Sequence, residues 1–253
     1  MVYPYYSSCY KFNLVSTDFY RLRSWFAAAW YITNQKNGVS ALGLQAVMGF
    51  GSYQTAWAML QRLRRAMVIP KRELLSGVVE VDETYVGGRD KGKIRAPQIS
   101  SKKAINVVAL ELLDPKGFGR VRLKRIPDAS EDSVLPFICN NVEPSAIIQT
   151  DGSPAYRSLH KQGYTRHKIV HQGSPDPAHV TMPGVHRIAS LLKRWLLSTH
   201  QGSVHSPKID YYLDEYTFRF NRRSSRSRGL IFYRLLEQAV VTNPITYEQI
   251  VKG

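Results

Sequence analysis

The chain has 253 residues and carries 35 Lys+Arg against 19 Asp+Glu, a formal net charge of +16. A hydrophobic content of 43% is too high for a disordered chain, and two cysteines, Cys9 and Cys139, are too few for a disulfide scaffold or a four-cysteine zinc ribbon. The longest apolar run, Phe26 to Ile32, falls far short of a membrane span and no secretory leader pattern opens the sequence, so the expectation is a cytoplasmic protein with a polyanionic partner, nucleic acid before membrane.

The charge is unevenly spread. Residues 1–77 carry a net +7, residues 78–180 a net +3 and residues 181–253 a net +6, with most of the acids in the middle. Two basic ends around an acid-bearing centre fit a chain that grips a polyanion at its ends and does something acidic between them.

Residues 1–18 are rich in Tyr and Ser and have no period, so they read as an irregular lead-in. Residues 19–76 read as a helical region. Phe19 to Gln35 has helical spacing and stops at Asn37-Gly38. Ser40 is placed to cap a short helix through Met48, and Gly49-Phe50-Gly51 forms a tight turn. Ser52 then opens a longer helix that runs to about Met67. Two helices joined by such a turn match a helix-turn-helix. Gln54, Gln61, Arg62, Arg64 and Arg65 are its candidates for reaching bases and phosphates. A plain helical bundle with a solvated basic face is the alternative.

From Val78 the period changes to that of strands. Strands are expected at Val78–Val86, Ala104–Leu113, Arg120–Ile126, Ala146–Thr150 and Tyr164–Val170. Helices are expected at Ser130–Asn140, Ser153–Gln162, Val185–Leu197 and Lys208–Asn221. This order predicts an α/β fold, a mixed sheet flanked by helices. The domain limits are drawn at 77–238 for the sheet domain and 239–253 for a C-terminal tail. Arg89, Lys91, Lys93 and Arg95 form a basic stretch after Gly87-Gly88.

Two carboxylates stand out by position. Asp82 lies in the first strand, with Glu83 on the opposite face, and Asp151 ends the fourth. If those strands are neighbours, the two converge. Close carboxylates repel unless a cation joins them, and hard oxygen ligands facing a phosphate suit Mg²⁺ or Mn²⁺. A pair of such ions would activate the attacking oxygen and stabilise the leaving one at a phosphodiester.

The stretches VVEVDETYVGGR, IIQTDGSPAYRSL, VHRIASLLKRWLLSTHQG and YYLDEYTFRFNRR resemble the DDE-type transposases of bacterial insertion sequences, most of all insertion-sequence family fifteen-ninety-five. The resemblance covers roughly residues 20–240. It implies an RNase H-like catalytic domain and metal-dependent DNA cleavage and strand transfer at terminal inverted repeats, without a covalent enzyme intermediate. It also implies assembly as at least a dimer on double-stranded DNA, close to the nucleoid. Asp82 and Asp151 match the family's first two metal-binding acids.

The third position of that motif falls on His186, with Lys193 seven residues on. Seven residues return to nearly the same helix face, so imidazole and ammonium can point together. His186 could ligate Mn²⁺ or orient water, and Lys193 could hold phosphate. Arg194 beside it, and Arg222, Arg223, Arg226 and Arg228 after the last motif, are read as phosphate contacts. Glu215 reads as the i,i+4 partner of Arg219, while His171, Asp176 and His179 fall in a Pro-rich, solvated loop.

The family's usual N-terminal zinc ribbon has no counterpart, since Cys9 is the only cysteine ahead of Cys139; no zinc is expected. That departure, with the non-acidic third position, motivates an alternative function: a catalytically silent transposase remnant that only binds DNA.

Overall fold

The structure, a computed structural model, describes residues 22–69, 72–87, 103–169, 182–201 and 208–252. The lead-in 1–18, the basic stretch at Arg89, Lys91, Lys93 and Arg95, and the loop with His171, Asp176 and His179 lie outside the described residues. The chain divides into two units, Lys71–Asn221 and the combination of Met1–Pro70 with Arg222–Gly253.

The first of these units is built on five strands: β1 (Val78–Val86), β2 (Ala104–Leu112), β3 (Phe118–Ile126), β4 (Ile147–Thr150) and β5 (Thr165–Lys168). Their order is β3-β2-β1-β4-β5. β1, β2 and β3 pair antiparallel, while β4 joins β1 and β5 joins β4 in parallel. One face is covered by the helix Glu131–Asn141 and the 3-10 helix Pro154–Gln162. There Val79, Val81, Val107, Phe137, Ile148 and Tyr156 form a core. The other face is covered by helices Pro183–His200 and Ile209–Asn221, around Val108, Leu110, Ile188, Leu192 and Leu213. β2, covered on both sides, is apolar almost throughout, as a doubly buried strand must be. The mixed, helix-flanked α/β sheet expected from the sequence is what forms.

Polar groups finish the sheet where apolar ones cannot. Asn221 covers the outer edge of β3: its Oδ1 accepts from the Val121 N–H at 2.8 Å and its Nδ2 donates to the Val121 carbonyl at 3.1 Å. Glu111 on β2 accepts from the Ser76 and Arg120 main-chain N–H groups at 3.0 and 2.8 Å, and from the Arg120 guanidinium at 2.6 and 2.9 Å. Burial pushes the Glu111 carboxyl up, but the Arg120 and Ser76 donors outweigh it and hold the group below the usual glutamate range. A depressed carboxyl stabilises the fold above its unfolded pKa and loses that contribution as pH falls. Glu111→Gln is therefore expected to lower the melting temperature at pH 7. The gap to the parent should close as pH drops below about 4, as read by thermal melts across pH.

The second unit is helical. Numbered through the whole chain, its helices are α1 (Leu22–Asn34), α2 (Ala41–Met48), α3 (Tyr53–Ala66), α7 (Arg228–Val241) and α8 (Tyr247–Lys252); those on the sheet become α4 (Glu131–Asn141), α5 (Pro183–His200) and α6 (Ile209–Asn221). Ser40 caps α2, its Oγ accepting from Gly43 N–H at 3.1 Å. Gly49 closes that helix at φ +66°, a left-handed turn that a residue with a Cβ rarely adopts. The segment after Asn221 differs from the sequence reading. Residues 222–238 group with the helical unit rather than with the sheet, as does the C-terminal tail drawn at 239–253. Ile231, Leu235 and Ala239 recur every four residues on α7 and are buried, as is Ile250 on α8.

The burial of α3 corrects part of the proposed DNA-reading set. Gln61, Arg62 and Arg64 are 0%, 3% and 1% exposed, so in this fold they face the bundle and not solvent. Packed helices leave terminal carbonyls without partners, and arginine carries donors far enough to meet them. Arg62 Nε donates to the Ile245 carbonyl at 3.0 Å, ahead of α8. Arg64 donates to the Val39 carbonyl at 3.2 Å and to Gln61 Oε1 at 3.3 Å. Gln54 and Arg65 on the same helix are exposed. Arg64→Ala is expected to cost about 2 kcal/mol of stability, from stranded acceptors and lost packing, as measured by denaturant unfolding.

Candidate active site

Side-chain alternation along β1 sorts its polar residues. Val79, Val81 and Glu83 face α4 and the 3-10 helix, while Glu80, Asp82 and Thr84 face α5. Asp82 is partly exposed at the floor of a cleft of about 310 Å³. Thr84, Val185, His186, Ser190 and Lys193 also line this cleft. His186, Ser190 and Lys193 stand at i, i+4 and i+7 on α5, one stripe of the helix. His186 Nε2 lies 3.9 Å from Asp82 Oδ2. The other Asp82 oxygen accepts from the Glu83 N–H at 2.8 Å, which orients the carboxylate.

Asp151 is carried by the neighbouring strand. The parallel ladder pairs Val78 with Ile147, Val79 with Ile148 and Glu80 with Gln149. The ladder stops there: Asp151 follows Thr150, the last residue of β4, and its charge and that of Asp82 both reach Glu83. Asp151 is absent from the lining of the cleft itself; it stands at the strand end, its Oδ1 accepting from Ser153 N–H at 2.9 Å. Arg166 on β5 braces this loop. It donates to Thr150 Oγ1 and the Asp151 carbonyl, each at 2.8 Å, and to the Ser153 carbonyl at 3.3 Å. Its guanidinium lies 5.7 Å from the centroid of the Tyr156 ring.

Glu83 sits behind the two aspartates. Burial pushes its carboxyl up, and the charges of Asp82 and Asp151 add to that push. The Tyr156 hydroxyl, donating to Glu83 Oε1 at 2.6 Å, opposes it. Burial, and next the Glu83 charge, drive the Tyr156 phenol well above its ordinary value, so it stays a protonated donor. Glu83 therefore feels the charge of both aspartates.

Among the described residues no group of three or more His, Cys, Asp or Glu side chains is gathered closely enough to hold a metal ion. The donors present still match a divalent cation in kind. Asp82 Oδ2 and His186 Nε2 are 3.9 Å apart, within twice the ~2.1 Å of a metal–ligand bond, so one ion can touch both.

The remaining sequence candidates divide by exposure. Lys193 and Arg194 are exposed on α5. Arg223, Arg226 and Arg228 are exposed, while Arg222 is half-buried, and its guanidinium pKa is lowered, first by burial and then by Arg234. Glu215 is an ion-pair residue: fully buried, it accepts from Arg219 Nε at 2.8 Å. Sequence reasoning passed over Glu80, Gly184, Tyr156 and Arg166. Only Glu80 left a trace there, as a charge between two valines on the face of Asp82.

Comparison with known proteins completes this picture. Residues 74–221 match the ISXO2-like transposase domain. A protein in the transposable element ISH50 of Halobacterium salinarum is 28% identical over 211 residues, spanning 78% of this chain and 69% of its own length. A transposase-like protein of Haemophilus influenzae is 24% identical over 116 residues, 46% of this chain and 93% of its own. The crystal structure of a pre-cleavage Mos1 transpososome aligns with 93% of this chain and 79% of its own, at 14% identity and a TM-score of 0.35.

Proposed function

Because the chain belongs to the ISXO2-like transposase domain family, we propose that it cleaves DNA at the terminal inverted repeats of an insertion sequence and joins the freed end to target DNA. The observation that carries this reading is the pairing of Asp82 on β1 with His186 on α5 at 3.9 Å, with Asp151 just past the end of β4, the strand that pairs in parallel with β1.

In the first step water attacks phosphorus at the element's end and the P–O3′ bond breaks, releasing a 3′-hydroxyl and a 5′-phosphate. In the second, that 3′-hydroxyl attacks a target phosphodiester and a target 3′-oxygen leaves. Mg²⁺ or Mn²⁺ would supply Lewis acidity and lower the pKa of the attacking oxygen. Asp82, Asp151 and His186 are the residues that would hold it. The imidazole brings no negative charge, so the protein grips the ion less tightly than three carboxylates would. Lys193, about 10 Å along α5 from His186, neutralises a phosphate beside the scissile one.

Double-stranded DNA is the partner that fits the basic surface. α2, the turn 49–52 and α3 form a helix-turn-helix whose exposed first turn offers Gln54. Arg65, Arg194, Arg223, Arg226 and Arg228 add phosphate contacts from exposed positions. A homo-oligomer on paired element ends follows from the need to join both. Among the described residues no helix is long and apolar enough to cross a membrane.

The test is incubation of the full chain with repeat-end duplex and Mg²⁺ or Mn²⁺, scoring nicked and joined strands. Repeat binding without cleavage in either metal would instead support the DNA-binding remnant. The imidazole at the third position is the observation that favours this second reading.

A further inference from the structure

We propose that Glu80 is a positioning residue for His186: its buried carboxylate grips the first turn of α5 and so sets the imidazole against Asp82. This rests on the reading of Asp82 and His186 as partners in one site.

Glu80 is 2% exposed and lies two residues before Asp82, on the same face of β1. Its Oε2 accepts from the Val185 N–H at 2.8 Å, and the Gly184 N–H also bonds the carboxylate. The start of α5 lacks ordinary capping. Pro183 brings no N–H, and Met182 at the cap position makes no side-chain cap hydrogen bond. The unmatched N–H groups of the first turn are instead met by a carboxylate from the sheet, where negative charge is favoured by the helix dipole.

Gly184 makes the approach possible. A Cβ there would stand 2.6 Å from Glu80 Oε2 and 2.8 Å from Leu110 Cδ2, closer than packed atoms allow. The link from the grip to the reacting pair is then short on both sides. On the strand it runs from Glu80 to Asp82, and on the helix from Val185 to His186. A helix pinned at 184 and 185 holds residue 186 with little slack, and the 3.9 Å between His186 and Asp82 is the outcome.

The experiment is a double-mutant cycle on the full chain with Glu80→Ala, His186→Ala and the pair. Cleavage of repeat-end duplex is read in Mn²⁺, and Mn²⁺ affinity is read without DNA by electron paramagnetic resonance. Glu80→Ala is expected to slow cleavage about 10- to 100-fold, as a misplaced group does. The double variant should be no slower than His186→Ala. Glu80→Gln, whose amide oxygen still accepts from the helix start, should recover the rate to within about threefold.

Losses that multiply in the double variant, or a Glu80→Ala protein with parental rate and Mn²⁺ affinity, overturn the assignment. If the parent chain does not cleave, the functional reading fails by itself. The Mn²⁺ cycle then decides the positioning role alone, since affinity losses from Glu80 and His186 must not add. Should Glu80→Ala melt below assay temperature, Gly184→Ala, whose methyl pushes the helix start off the carboxylate, takes its place under the same criterion.

Discussion

Asp82→Asn is expected to lower strand cleavage by at least about 10³-fold while repeat binding changes by less than about twofold, a loss of roughly 4 kcal/mol of transition-state stabilisation. The substitution keeps size and an oxygen able to accept from the Glu83 N–H, so the strand is undisturbed. It removes the charge that would draw a cation to the floor of the cleft and stand opposite the His186 ring. Electrophoretic separation of cleaved and bound species measures both quantities in one reaction series. Parental cleavage by Asp82→Asn would remove the site from β1 altogether. Asp151→Asn should behave alike, since Asp151 follows the end of β4, the strand that pairs in parallel with β1.

Arg219→Met should destabilise the sheet unit by about 3–5 kcal/mol, the cost of breaking a buried ion pair from one side. Glu215 is fully buried and its carboxylate accepts from Arg219 at 2.8 Å within α6. Without the guanidinium, the buried carboxylate loses this charged donor. Adding Glu215→Gln to Arg219→Met should restore much of the loss. Denaturant unfolding of the two single variants and the pair measures the coupling.

These expectations were legible in the sequence to different depths. Asp82 and Asp151 could be singled out because a strand's period of two and an Asp-Gly strand end are local signals. Glu215 and Arg219 could be paired because four residues on a helix is also local. The DNA-facing arginines of α3 were misjudged for the converse reason. A run of Arg62, Arg64 and Arg65 reads as a basic face whether or not other helices enclose it. The enclosing helices α7 and α8 come from more than 160 residues away and were read as the end of the sheet domain and a tail. Their apolar spacing, Ile231, Leu235 and Ala239, was visible, but nothing local says which unit it packs against.

By itself, the sequence determined the order of strands and helices between Val78 and Asn221, the excess of positive charge at both ends and the two aspartates. Each follows from residue type and near-neighbour spacing. Only the tertiary structure decided that β4 lies parallel beside β1, so that the strand carrying Asp82 adjoins the one that Asp151 follows. It alone decided that Glu80 reaches 105 residues along the chain to hold the start of α5. Long-range pairing is chosen by packing both faces of one sheet at once, and no short stretch of sequence carries that sum.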